Sequence, residues 1–286
     1  MSNLFTQQLN YTFNRPVTDP AWYWQSREEE ADPFHGEDPL TAFEFIEALC
    51  ENPGQRLAAY SDDQVGQGLT FIFSGDCSNL AHGFKSAAVS YERRAAALRT
   101  LFHLFRDVFA PRCKPQLGSS SQEKSSPLSF ICYMFWDVSP LSQWITPDQD
   151  DLSAYAMQQF LGSDVSDAFD LPAEVQELMR QHAQQALANR TPKSWDDIQA
   201  DIMNRYANLT PETEACYRAI ADVMAGCLRL DNPACVESGL HGLGHMVPFL
   251  PDLATALIDD FLKNNNKNLP AALIQYAHSA RSGMIQ

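Results

Sequence analysis

Apolar residues recur along this chain at intervals of three and four, and proline interrupts the pattern again and again. After Asp38-Pro39, the residues Ala42, Phe43, Phe45, Ile46 and Leu49 share one helical face, and Asn52-Pro53-Gly54 closes the segment. Ser61 is placed to cap a second helix reaching Phe73, with Ser74-Gly75-Asp76 ending it and a short helix expected from Asn79 to Phe84. Between Tyr91 and Phe109, one face carries Leu98, Leu101, Phe102, Phe105, Val108 and Phe109, while Arg99, His103 and Arg106 lie on another and Pro111 ends the run. Leu128 to Trp136 is continuously apolar, a composition that suits a buried strand; among so many helices it is read as a buried helix. Further helices are expected at about 150–162, 172–189, 194–207, 211–229, 233–246, 251–264 and 269–280. Pro172, Pro192, Pro211, Pro233, Pro251 and Pro270 stand at or near their first turns.

The pattern predicts an all-α protein in three stretches. Residues 1–113 form an N-terminal helical region that opens on an irregular arm, with Pro16, Pro20, Pro33, the cluster Trp22-Tyr23-Trp24, the acidic run Glu28-Glu29-Glu30 and one short helix around Ala21 to Glu30. Its aromatic rings are expected to cap a core, because exposed aromatic clusters are costly in water. Residues 114–127, polar and serine-rich, have the composition of a flexible loop or linker, and 128–286 form a C-terminal helical region.

Three segments place a small residue before leucine and an aliphatic residue three further on: Gly68-Leu69 with Ile72, Ala97-Leu98 with Leu101, and Gly239-Leu240 with Leu243. Small residues at such points let helices approach closely. The stretch Asn232 to Met246, opened by Pro233 and followed by a second segment from Pro251 to Leu262, resembles a HEAT-type repeat. That resemblance, confined to residues 232–264, implies an irregular HEAT-like α-solenoid; without it the same pattern reads as a helical bundle of antiparallel pairs.

Charge narrows the partners. The chain of 286 residues has a net charge of -16, which keeps it soluble and repels nucleic acid and anionic membranes at long range. The charge is uneven: Lys85, Arg93, Arg94, Arg99, Arg106, Arg112 and Lys114 against Glu92 and Asp107 leave +5 over residues 85–114 and -21 elsewhere. No stretch approaches the roughly 18 to 20 apolar residues of a membrane span. Met1 to Phe13 lacks the pattern of a secretory signal, and seven cysteines without CxxC spacing suit free thiols, so a cytoplasmic protein is expected.

Candidate chemistry is sparse. His241 and His245, four apart, share a helix face as a two-histidine metal pair would, and Cys235 or His278 are the residues that could complete it. Gly242 occupies the place where a metalloprotease carries its glutamate, and packed histidines joined to neighbouring helices explain the pair without a metal. Nucleophile, phosphate-loop and dinucleotide motifs do not occur, so no catalytic residue or cofactor is assigned. Arg93, Arg94, Arg99 and Arg106 have the sign for binding an anion, but the stripe is short and reads as an internal clamp against acidic helices.

These features favour an acidic protein-binding module, in its most concrete form an immunity-type protein that neutralises a basic partner such as a toxin. The alternatives are an enzyme without a familiar motif, sited near His241 and His245, and nucleic-acid binding through the Arg93 to Arg106 helix.

Overall fold

Side-chain caps set where seven of the fourteen described helices begin. Asp38 accepts from the Thr41 N–H at 2.9 Å, and Ser61 and Gln64 form a reciprocal capping box. Ser90, Ser126, Ser194, Thr210 and Asn232 cap later helices in the same manner. Ser61→Ala is expected to lower stability by about 1 kcal/mol, seen as an earlier urea midpoint at unchanged slope.

The computed structural model describes residues 3–25, 33–34, 38–120, 126–162, 172–188, 190–264 and 269–285. Among them no strand occurs. The helices are α1 (Asn3–Phe13), α2 (Pro39–Glu51), α3 (Pro53–Arg56), α4 (Asp62–Phe73), α5 (Tyr91–Leu104), α6 (Ala110–Arg112) and α7 (Pro127–Val138). They continue as α8 (Gln149–Gly162), α9 (Ala173–Leu187), α10 (Trp195–Ala207), α11 (Pro211–Cys227), α12 (Pro233–Met246), α13 (Pro251–Asn264) and α14 (Ala271–Arg281). A π-helical turn, Phe105–Phe109, joins α5 to α6. No described helix is long and apolar enough to cross a membrane.

The chain divides into two compact units, Met1–Trp144 with Thr210–Gln286, and Ile145–Leu209. In the first, α12 packs against α7, α11, α13 and α14; α11 also packs on α5, α5 on α2, and α4 on both α1 and α7. α12 is therefore buried on nearly every side, polar residues included. In the second unit α8 packs on α9 and touches α10, and Asp151 receives Arg190 at 2.8 Å and Lys193 at 2.9 Å.

Two expectations for the N-terminal arm need correcting. The N-terminal arm opens on a regular helix, α1, that buries Phe5, Gln8, Thr12 and Phe13; two polar residues on the buried face hide its period. The short helix expected at Ala21 to Glu30 is, where described, a single 3-10 turn over Trp22–Trp24. Its remainder, with the glutamate run, lies outside the described residues. Trp22 is buried among Tyr11, Tyr23 and Phe71 as a core cap, whereas Trp24 is exposed.

The compact units also do not divide at 114–127. α7, which follows that stretch, packs on α4, which precedes it, and Gly118 and Ser119 are held by hydrogen bonds to α12. The apolar run at 128–136 is helical, and Leu98, Phe105, Leu240 and Leu243 are buried as their period predicts. Phe102 is half-buried, with its ring against Gly226 of α11.

Candidate metal centre

Four-residue spacing on two helices builds one polar column inside this apolar unit. Residues four apart share a helix face, so α12 presents Glu237, His241 and His245 in a row, and α7 presents Tyr133 and Asp137. Gly242 lets the two helices close: a Cβ there would lie 2.6 Å from Trp136 Cδ1 and 2.6 Å from Met224 Cε. Trp136 is the neighbour of Asp137, so the bare backbone at 242 is what brings that carboxylate to the histidines. Gly239 plays the same part toward α11, where a Cβ would sit 2.7 Å from the Met224 carbonyl oxygen.

At the open end of the column, Asp137 Oδ2 lies 2.5 Å from His241 Nε2, and its Oδ1 accepts from His245 Nε2. The two Nε2 atoms are 3.1 Å apart. A carboxylate only accepts, so in this arrangement each Nε2 carries the hydrogen. In a neutral His241 ring Nδ1 is then an acceptor, and the Tyr276 hydroxyl of α14 donates to it. Tyr133 stacks obliquely on His241, ring centres 4.8 Å apart, and its hydroxyl is 3.5 Å from that of Tyr276.

Burial pulls the Asp137 carboxyl upward, but the hydrogen bonds from His241 and His245 outweigh it and hold the group well below the usual carboxylate range. Burial, with Tyr133 beside it, raises Tyr276 far above an ordinary phenol, and burial likewise raises Tyr133 despite its bond to Tyr276. Both hydroxyls therefore stay protonated, which makes them hydrogen-bond partners rather than nucleophiles.

One turn further in, Glu237 is fully buried and accepts from Gly118 N at 2.5 Å, Ser119 N at 3.3 Å and the Ser119 hydroxyl. Desolvation still raises its pKa, and those three bonds offset only part of the rise. The loop it clasps lies against Tyr133, since a Cβ on Gly118 would meet that ring at 2.5 Å. Glu237 thus fixes the floor on which Tyr133 and His241 rest.

The donor set fits a divalent transition metal. One ligand atom from each of Asp137, His241 and His245 can be chosen so that all lie within 4.8 Å of one another. With Zn–N bonds of about 2.05 Å, two nitrogens 3.1 Å apart subtend about 100° at the ion, between octahedral and tetrahedral angles. Two imidazoles and one carboxylate suit zinc and its first-row neighbours, and three ligands leave positions open. The group is reached by solvent from one side: the side chain of His241 is 1% exposed, but that of Asp137 is 21% and that of His245 is 42%. The outer-shell bond that orients a metal-bound imidazole is present at His241 Nδ1.

The structure thus brings His241 and His245 together as their spacing predicts, but the residue completing the group is Asp137. Neither Cys235 nor His278 takes part. The Cys235 thiol points to the Phe105 carbonyl at 3.9 Å, and His278 is exposed on α14. The sequence reading missed Asp137, Tyr133, Tyr276 and Glu237. The signal for them was a lone carboxylate ending an apolar run, and the same four-residue step, Tyr133 to Asp137 and Glu237 to His241 to His245, on both helices.

The basic stripe is engaged elsewhere within the first unit. Arg93 holds Glu47 at 2.6 Å, buried Arg94 holds Glu212 at 2.5 Å, Arg99 holds Asp222 at 2.8 Å and Arg106 holds Asp107 at 2.7 Å. His103 donates from Nδ1 to the Cys50 carbonyl at 2.8 Å. A cavity of about 670 Å³, lined by Val17, Tyr23, Asp63, Thr70, Lys114 and Phe130 among others, includes none of the metal-site residues. No protein family, curated protein or solved structure matches this chain.

Proposed function

We propose that the protein binds a divalent first-row metal ion, zinc in the first instance, on Asp137, His241 and His245, and uses it as a Lewis acid. The carrying observation is the convergence of three metal-binding side chains on one point from positions 104 residues apart in sequence. A bound ion with three protein ligands keeps room for water or for an oxygen of a small substrate, which it would polarise. His245 and Asp137 would present it to solvent, His241 would anchor it from the core, and Glu237 would hold the helix face from which both histidines project.

Equilibrium dialysis of the purified protein against zinc tests this reading. One zinc per chain at micromolar free metal or below supports it. Absence of saturable binding, or binding unchanged when both histidines are alanine, contradicts it.

A second reading, an acidic cytoplasmic module that docks a basic protein, is favoured by α9. Its Val175, Leu178 and Met179, at positions i, i+3 and i+4, are all exposed. They stand in a unit whose sequence carries eleven acidic and four basic residues, a net -7. Apolar side chains on a charged helix are a usual docking surface. Affinity capture from lysate at low and high salt, with Leu178→Glu as control, tests it. A stoichiometric basic protein lost both at high salt and in the variant supports this reading, in which an immunity-type role is the most concrete form. Retention of the same protein by the variant would contradict it.

A further inference from the structure

The geometry points to Tyr276 as the positioning residue of the metal centre, its hydroxyl deciding which nitrogen of His241 is offered to the ion. This inference rests on the metal reading above. With the Asp137 carboxylate taking the Nε2 hydrogen of a neutral His241 ring, Nδ1 accepts and the Tyr276 hydroxyl is its donor.

An ion on Nε2 needs the lone pair of that nitrogen. A neutral imidazole then carries its one hydrogen on Nδ1, and the same Tyr276 oxygen becomes the acceptor. The exchange is a change of tautomer: one proton leaves Nε2 for solvent, Nδ1 takes the Tyr276 hydroxyl proton, and Tyr276 regains one from solvent by way of Tyr133, so the ring and both phenols end neutral. Only a group that both donates and accepts can serve the two states, which a hydroxyl does and a carbonyl or a carboxylate does not.

When Tyr276 accepts, its own hydrogen needs a new partner. The Tyr133 hydroxyl, 3.5 Å away, is placed to receive it. Tyr133 is itself held against the His241 ring and backed by the loop that Glu237 clasps. Because the His241 side chain is 1% exposed, water is a poor substitute at Nδ1. The ring is flanked by Tyr133, 4.8 Å between ring centres, and by His245 at 4.7 Å.

The test uses the full chain, zinc as the probe, and nitrogen-15 spectroscopy of the histidine rings. Without metal, His241 should show a bare Nδ1 and a protonated Nε2; with zinc, a slowly exchanging hydrogen should appear on Nδ1. Tyr276→Phe should weaken zinc binding about 10- to 100-fold, the range for losing an outer-shell partner, and the Nδ1 hydrogen should exchange rapidly. Tyr133→Phe, which leaves the His241 bond in place, should have a smaller effect in the same direction and stands in if Tyr276→Phe does not fold.

A folded Tyr276→Phe protein that binds zinc with wild-type affinity and keeps the same protected Nδ1 hydrogen would overturn the positioning role alone. A wild-type His241 that already carries its hydrogen on Nδ1 without metal would also overturn it. A wild type that takes up no zinc would remove the metal reading and this inference with it.

Discussion

Replacing Asp137 with alanine is expected to reduce zinc affinity by more than the roughly 10- to 100-fold that the loss of an outer-shell partner costs. Asp137 is the anionic member of the group, and it is the member that α7 delivers to a pair of imidazoles on α12. Without it two neutral nitrogens on one helix remain. In the metal-free protein the same change costs stability, because the buried Nε2–H of His241 loses its acceptor. An unsatisfied buried donor costs about 1 to 3 kcal/mol. Asp137→Asn separates the two effects, since an amide oxygen still accepts one hydrogen bond but supplies no charge to an ion. Calorimetric titration of the three proteins, with urea unfolding of each, measures both quantities.

The largest loss of stability is expected at Glu237. Glu237→Ala strands the N–H groups of Gly118 and Ser119, leaves a void at a fully buried position and removes the support under Tyr133. Hydrogen bonds to an ionised group contribute about 1.5 to 3 kcal/mol each, but the raised pKa says that burying this carboxylate has already consumed part of that gain. A net loss of about 3 kcal/mol follows, against a total stability of about 5 to 15 kcal/mol for a domain. The segment around Gly118 and Ser119 should become sensitive to protease in the variant while the helices before it stay intact. A shift under about 0.5 kcal/mol, with no new cleavage, would show that the clasp contributes little.

Much of the helical plan was legible because its punctuation is chemical. Pro211, Pro233 and Pro251 open α11, α12 and α13 where the sequence places them, each being compatible with a first turn that needs no N–H. The Ser61 cap was likewise visible. α1 was not, since Gln8 and Thr12 stand where its buried face would be apolar, and their polar atoms are satisfied by backbone carbonyls of Pro33 and Gln8. The proline at 111 reads as a stop, yet helix runs through it to Arg112 because the π turn before it re-spaces the backbone bonds.

The candidate site was half legible for a related reason. A helix displays its own four-residue step, so His241 and His245 could be paired from sequence. Which carboxylate meets them depends on how closely α7 and α12 pack, and that is set by the missing side chain at Gly242. Asp137 sits at the end of an apolar run that reads as core. Glu237 is a single acid within a helix of small and apolar residues, where charge usually marks the solvent side; here it faces inward because three donors wait for it.

The most direct measurement is the anomalous signal of zinc in crystals of the protein grown or soaked with the metal. The metal reading predicts a single strong peak about 2.0 to 2.2 Å from His241 Nε2, His245 Nε2 and an Asp137 oxygen, with at least one further position filled by water. Crystals equilibrated with zinc in which those three side chains keep their mutual hydrogen bonds, and any peak lies elsewhere, would contradict it.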